Sequence, residues 1–124
     1  MQISEAESVV MEVLWKCGPC TAEEVIGELA RDETQDWQEP TVKTLLNRLL
    51  NKSAIRAEKD GRRFRYWPEL KRQDWVSSQS RNLLNRLFQG RVAPLVAHFS
   101  EHGKLSKKDV EELKQLIQGL DDER

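Results

Sequence analysis

The sequence lacks the features that mark secreted and membrane proteins. No stretch approaches the roughly 18 consecutive apolar residues of a membrane-spanning helix. The N-terminus has no basic region followed by an apolar one, which a secretory signal would need. Cysteine is scarce, with two residues among 124, and none follows Cys20. The sequence therefore predicts a cytoplasmic protein.

The chain also lacks the residue patterns that indicate an enzyme. There is no set of nucleophile, base and oxyanion donors, and there is no glycine-rich phosphate loop. The two cysteines together with His98 and His102 are too far apart in sequence for the paired spacing of structural zinc. We therefore expect no enzymatic activity, no cofactor and no metal site.

Acidic and basic residues are segregated along the chain, although the net charge is only −1. Residues 1–39 carry 10 acids and 2 bases, residues 40–72 carry 3 acids and 10 bases, and residues 73–124 carry 8 of each. The local field of a surface patch attracts DNA more than the total charge does. The basic middle segment therefore favours a nucleic-acid partner, because an ordinary solvated face would not explain why acids avoid it.

The segment from Glu39 to Ser53 lies in this basic region and has helical spacing. Five apolar side chains recur at the intervals of one buried helix face: Val42, Leu45, Leu46, Leu49 and Leu50. The remaining surface carries no acid after Glu39, and its side chains are Thr41, Lys43, Thr44, Asn47, Arg48 and Lys52. Hydroxyl, amide and basic groups donate hydrogen bonds to phosphates and base edges. We interpret this segment as a DNA-recognition helix, with Pro40 tolerated in its first turn.

Two helices are predicted before this segment and a hairpin after it. Capping-box spacing predicts helices over about 4–16 and 21–32. Residues 54–59 and 63–67 flank Asp60-Gly61, a pair favoured in tight turns. Three helices followed by a basic hairpin is the order of a winged helix-turn-helix domain. The predicted fold class is therefore mainly α with a small β-hairpin wing.

Helical spacing returns after the hairpin and continues to the end of the chain. We therefore divide the chain into a winged helix-turn-helix domain, residues 1–69, and a C-terminal helical dimerisation region, residues 70–124. The second region has strong apolar stripes but too little chain to bury them, so we expect a second copy to cover them. Packing on the winged domain of the same chain is the alternative. The residues expected at the dimer interface are Leu83, Leu84, Leu87, Phe88, Leu95, Val96, Phe99, Val110, Leu113, Leu116 and Ile117.

Three stretches together resemble one family of regulators. WKCGPCT at 15–21, TVKTLLNRL at 41–49 and EKDGRRFRYWP at 58–68 are similar to the penicillinase-repressor family of winged-helix transcription factors, the BlaI/MecI/CopY type. The resemblance extends over nearly the whole chain, and the second stretch with the wing at the right distance is its most specific part. It implies a homodimeric repressor that binds a palindromic operator of double-stranded DNA, near a resistance or metal-homeostasis operon.

The resemblance also implies roles for individual residues. By position, the DNA contacts would be Thr41, Lys43, Thr44, Asn47 and Arg48 at the major groove, with Arg62, Arg63 and Arg65 on the wing. In β-lactam-responsive members a membrane-bound sensor metalloprotease leads to cleavage of the repressor in its dimerisation region. The similar bond here joins His98 to Phe99. Copper-responsive members end in a cysteine cluster, which this chain lacks, so copper sensing through such a tail is not expected.

One motif remains open to other interpretations. Cys17-Gly18-Pro19-Cys20 has the residues of the thioredoxin redox motif. That motif follows a buried strand, whereas residues 5–16 have helical spacing, so a turn between two helices is the favoured interpretation. A thiol oxidoreductase that uses Cys17 and Cys20, or a redox-sensing repressor, is the alternative.

Overall fold

The computed structural model describes residues 1–32 and 35–122, which form six helices and one two-stranded antiparallel sheet. In chain order the elements are α1 (Glu5–Cys17), α2 (Ala22–Arg31), α3 (Glu39–Asn51), β1 (Ile55–Asp60), β2 (Arg63–Pro68), α4 (Arg72–Phe88), α5 (Val92–Glu101) and α6 (Lys107–Asp122). The chain divides into two compact units, residues 1–76 and 77–124, so the division falls within α4. A mainly helical chain with one small hairpin confirms the predicted fold class.

The first two helices begin at the capping boxes that the sequence indicated. The hydroxyl of Ser4 accepts a hydrogen bond from the N–H of Glu7 at 3.0 Å, and the Glu7 carboxylate accepts one from the N–H of Ser4 at 2.7 Å. Thr21 and Glu24 make the same reciprocal pair, both at 3.2 Å, at the start of α2. Each box satisfies backbone donors that the start of a helix leaves without partners.

One face of each of the first three helices forms the core of the first unit. Seven side chains there have no exposed surface: Val10, Met11, Leu14, Val25, Val42, Leu46 and Leu49. Removing a side chain of this kind from water contributes about 1.5–3 kcal/mol. The stripe predicted for α3 is thereby confirmed, with Leu50 half-buried at its edge.

The hairpin has a tight turn, but its position differs from the prediction. Asp60 pairs with Arg63 across the two strands, so the two turn residues are Gly61 and Arg62. Gly61 has a φ of 67°, and Arg62 does not have a positive φ. A two-residue turn with a positive φ at its first central residue alone is of type II′, which has glycine at that position. The predicted Asp60-Gly61 turn is therefore wrong by one residue, and Asp60 is the last residue of β1.

The hairpin is also joined to the turn between α1 and α2. Cys20 and Tyr66 exchange two backbone hydrogen bonds, from the N–H of Cys20 at 3.1 Å and from the N–H of Tyr66 at 2.8 Å. A bridge of a single residue leaves no periodic pattern in the sequence. It fixes the base of the wing to the helical part of the first unit.

Tryptophans attach the start of α4 to the first unit. The indole N–H of Trp15 donates to the carbonyl oxygen of Leu70 at 2.8 Å, and its ring lies 5.5 Å from that of Trp75. The Arg72 guanidinium is 3.1 Å from the Glu12 carboxylate. The first unit therefore includes the opening residues of α4.

The second unit contains the rest of α4 together with α5 and α6. The hydroxyl of Ser106 caps α6 by accepting a hydrogen bond from the N–H of Asp109 at 3.0 Å. None of the residues described between 77 and 122 is buried. Several large apolar side chains of the second unit have more than a third of their surface exposed: Leu83, Leu87, Val92, Phe99, Val110, Leu116, Ile117 and Leu120. Across the described residues, every helix is too short or too polar to cross a membrane.

Candidate nucleic-acid interface

The outward face of α3 carries the polar residues that the sequence assigned to DNA contact. The apolar stripe of α3 faces the core, and side chains at the intervening positions project to the other side of a helix. All five predicted contact residues are exposed there: Thr41, Lys43, Thr44, Asn47 and Arg48. The fold therefore presents them together on one accessible helix surface.

Two of these side chains are oriented by bonds within α3. The Lys43 ammonium lies 2.7 Å from the Glu39 carboxylate one helical turn earlier, and this hydrogen bond raises the pKa of Lys43. The Thr44 hydroxyl donates to the carbonyl oxygen of Pro40 at 2.9 Å. These bonds place a charged ammonium and a hydroxyl at the N-terminal end of the helix, where HTH recognition helices contact base edges.

The wing and α3 meet at a small polar cleft. Its volume is about 150 Å³, and its lining residues are Ala22, Glu23, Lys43, Arg62, Arg63, Phe64 and Tyr66. Three of these side chains are cations and one is a carboxylate, so the cleft has a positive potential. The structure thus brings Lys43 of α3 and the tip of the wing together, as an interface for a polyanion requires.

Arg65 lies in a different environment from the other two wing arginines. Its guanidinium bonds the Asp60 carboxylate at 3.0 and 3.1 Å, the carbonyl oxygen of Pro19 at 3.2 Å and the Glu24 carboxylate at 3.3 Å. The bond to Asp60 is the main reason that the pKa of Arg65 is raised. Within the described residues, Arg62 and Arg63 form no ion pair. The sequence predicted one role for all three arginines, but their contacts differ. Arg65 is bonded to other parts of the protein, whereas Arg62 and Arg63 are not ion-paired with any described residue.

The sequence interpretation did not assign Phe64, which is half exposed beside the cationic residues of the cleft. An apolar ring in such a position can contact a thymine methyl group or a base step. The alternation Arg63-Phe64-Arg65-Tyr66 puts Phe64 on the same face as Tyr66, because residues two apart on a strand share a face, and both rings line the cleft. Phe64 therefore belongs with the candidate interface.

The two cysteines have unequal environments. Cys17 is exposed at the end of α1, whereas Cys20 is 3% exposed and its thiol donates to the carbonyl oxygen of Gly18 at 3.2 Å. Burial, followed by the charge of Glu24, raises the pKa of Cys20. A redox-active thiol needs a lowered pKa. The pair lies in a turn between two helices, and both redox alternatives stay predictions.

The candidate cleavage bond between His98 and Phe99 lies inside α5. The ring of His98 stacks on that of His102 at 4.3 Å and lies 6.2 Å from that of Phe88. Both His98 and Phe99 are exposed. A protease could reach this bond without disturbing a core, but α5 would have to unwind locally to present it.

The residues predicted at a dimer interface are all accessible in the single chain. Some are half-buried: Leu84, Phe88, Leu95, Val96 and Leu113. The others are exposed: Leu83, Leu87, Phe99, Val110, Leu116 and Ile117. An exposed apolar surface of this extent is typical of sites at which proteins associate.

Comparison with known proteins identifies the relatives of this chain. The chain matches the penicillinase repressor family over residues 3–119. It is 38% identical over 117 residues to the penicillinase repressor of Bacillus licheniformis, covering 94% of this chain and 90% of that protein. It is 32% identical over 116 residues to the methicillin resistance regulatory protein MecI of Mammaliicoccus sciuri, covering 94% and 93% of the two chains.

Two solved structures are similar to about three-fifths of the chain. The DNA-binding domain of the repressor BlaI is 42% identical with a TM-score of 0.52, over 59% of this chain and 87% of that one. The monomeric form of Bacillus licheniformis BlaI in complex with the blaP half-operator is 42% identical with a TM-score of 0.51, over 60% and 88% of the two chains.

Proposed function

This chain belongs to the penicillinase repressor family, and we propose that it is a transcriptional repressor that binds operator DNA with α3 and the hairpin wing. The observation that carries the proposal is the positive cleft at which Lys43 of α3 meets Arg62 and Arg63 of the wing. The similarity to a BlaI form in complex with a half-operator supports it. Genes of β-lactam resistance are the targets that the relatives' names favour.

Each polar residue of α3 has a chemical role in this proposal. Thr41, Thr44 and Asn47 read base edges in the major groove, because hydroxyl and amide groups both donate and accept hydrogen bonds. Lys43 and Arg48 bind phosphate or guanine. Arg62 and Arg63 bind the phosphates that flank the groove, and the affinity therefore falls steeply as salt concentration rises.

The test is selection of bound sequences from random duplex DNA at two salt concentrations, followed by titration of variants on the selected site. We expect Lys43→Ala and Arg48→Ala each to weaken binding about tenfold, a typical cost of losing one such contact. Lys16→Ala, which removes an exposed lysine from α1, is the matched control and should bind like wild type. If both α3 variants bound the selected operator as tightly as wild type, α3 would not be the recognition helix.

We further propose that the repressor is a homodimer held together by the second unit. The exposed apolar side chains of α4, α5 and α6 would be buried by packing against a second copy of the chain, which presents the same apolar surface under twofold symmetry. Two winged domains related in this way would bind the two halves of a palindromic operator.

Release from DNA by proteolysis is the third part of the proposal. Cleavage between His98 and Phe99, dependent on a membrane-bound sensor metalloprotease, would divide the dimerisation region while leaving the first unit intact. The exposure of both residues supports this site. Mass spectrometry of the protein from β-lactam-treated cells should detect fragments of residues 1–98 and 99–124. Intact protein in cells whose target genes are induced would contradict it.

A further inference from the structure

The guanidinium of Arg65 is almost fully engaged within the protein. Its Nε and Nη2 donate to Asp60 Oδ2, while Nη1 donates to both Pro19 O and Glu24 Oε1. A guanidinium has five N–H donors, so four of them already have acceptors. A single N–H remains for any external ligand.

The charge around Arg65 also opposes a phosphate contact. One guanidinium faces the two carboxylates of Asp60 and Glu24, so the local group carries a net negative charge. A DNA phosphate that approached it would be repelled by this group, whereas the unpaired side chains of Arg62 and Arg63 would attract it.

The bonds of Arg65 join three parts of the first unit. Asp60 ends β1, Pro19 lies in the turn between α1 and α2, and Glu24 lies in the first turn of α2. The same turn is bonded to the wing through Cys20 and Tyr66. The wing is thus fixed to α2 and to the turn before it through the same strand, β2, that lines the basic cleft.

We propose that Arg65 is a positioning residue: it holds the wing beside α3 and does not itself bind DNA phosphate. This inference rests on the proposed function, because it assumes that the wing contacts the operator. It changes the role that the family resemblance implied for Arg65. In this arrangement Arg62 and Arg63 bind the DNA backbone, and Arg65 fixes the strand that carries them.

Removing the acidic partners distinguishes the two roles by the sign of the effect. In the double variant Asp60→Asn, Glu24→Gln, asparagine keeps the size and shape of aspartate at the end of β1, and glutamine retains the capping box with Thr21. A phosphate-binding Arg65 would be freed, and the loss of two negative charges would strengthen operator binding. A positioning Arg65 would lose its anchors, and binding should weaken about three- to tenfold, as for the loss of a small ion-pair network.

Glu23→Gln is the matched control. Glu23 also lies in the first turn of α2 and faces the basic cleft, but it forms no ion pair among the described residues. Its neutralisation should strengthen operator binding, because it removes only a repulsive charge. The opposite signs of the control and the double variant would assign the loss to positioning and not to net charge.

Amide hydrogen exchange without DNA supplies an independent measurement. Positioning predicts faster exchange at Tyr66 and Cys20 in the double variant and wild-type rates in Glu23→Gln. Arg65→Lys should have an intermediate affinity, because an ammonium can pair with Asp60 but lacks the planar fork that reaches several acceptors.

Tighter operator binding by the double variant, or unchanged exchange at Tyr66, would overturn the proposal. If the wild-type protein selected no DNA sequence, the proposed function would fail, and the DNA role of Arg65 with it. Faster exchange in the double variant would then still show that Arg65 anchors the wing, so the two failures are distinguishable.

Discussion

The two compact units both contain amphipathic helices, but they bury the apolar residues of those helices to different extents. Both contain helices with aliphatic residues at intervals of three and four. In residues 1–76, fifteen apolar residues are buried, whereas none is buried in the described part of residues 77–124. A second unit of this length has too high a ratio of surface to volume to form a core alone. The difference indicates that the first unit has a core of its own, and under the proposed function the second unit would be completed by a second copy of the chain.

This contrast divides the proposed function between the units. Under the proposal, the first unit would hold the residues that distinguish one DNA sequence from another. The second unit would join two such DNA-binding units, so that binding to the second half-site becomes an intramolecular step. We therefore expect specificity for the half-site to come from α3 and the wing, and affinity for a palindrome to depend on the helices that follow.

The largest effect should follow from removing the second unit. We expect residues 1–76 to unfold cooperatively and to be monomeric, because their core is complete. Their affinity for the full palindrome should be lower than that of the whole chain by about 10²–10⁴-fold, the range of the gain from linking two sites. Sedimentation equilibrium and fluorescence titration on whole and half operators would measure both quantities.

Charged substitutions provide the control in the full-length chain. Leu116→Asp combined with Ile117→Asp places two carboxylates on exposed positions of α6 and should reproduce the affinity of the truncated chain without removing residues. Equal affinity of residues 1–76 and the whole chain for the palindrome would show that the second unit adds nothing to DNA binding.

Features with a local or periodic signal were predictable from the sequence. The helix α3 and its buried face could be predicted because its apolar residues recur at helical spacing, while its role in DNA recognition stays a prediction. The starts of α1 and α2 could be predicted because a capping box is a contact between residues three apart. These interactions are short-range, so their sequence spacing nearly determines their geometry.

Features that depend on contacts between distant residues were not predictable in this way. Arg65 is the same residue type as Arg62 and Arg63, and only the fold brings its side chain to Pro19 and Glu24. The bridge between Cys20 and Tyr66 joins residues 46 positions apart and leaves no pattern. The turn was misplaced by one residue because Asp60-Gly61 is a favourable pair in isolation, while strand pairing decided the register.

A smaller effect, confined to the first unit, should come from the buried carboxylate of Glu7. This side chain is 1% exposed, and its Oε1 atom lies 2.5 Å from the ammonium of Lys52 at the end of α3. Burial alone would raise the pKa of Glu7, but the hydrogen bonds from Lys52 and Ser4 outweigh it and lower the pKa. The ionised form is therefore the one that the folded state favours, and no residue described in the second unit has a comparable buried charge.

The sign of the pH dependence follows from this lowered pKa. The stabilisation from Glu7 is fully present above its unfolded pKa of about 4.3 and is lost as the pH falls through the lower folded value. At pH 7, Glu7→Gln should reduce the free energy of unfolding of residues 1–76 by about 1–3 kcal/mol, the range for a hydrogen bond to a charged group. Urea titrations should show this difference from wild type shrinking in strong acid, where Glu7 is neutral in both states. A difference that did not change with pH would mean that Gln disturbs the packing and that the ion pair with Lys52 contributes no stability.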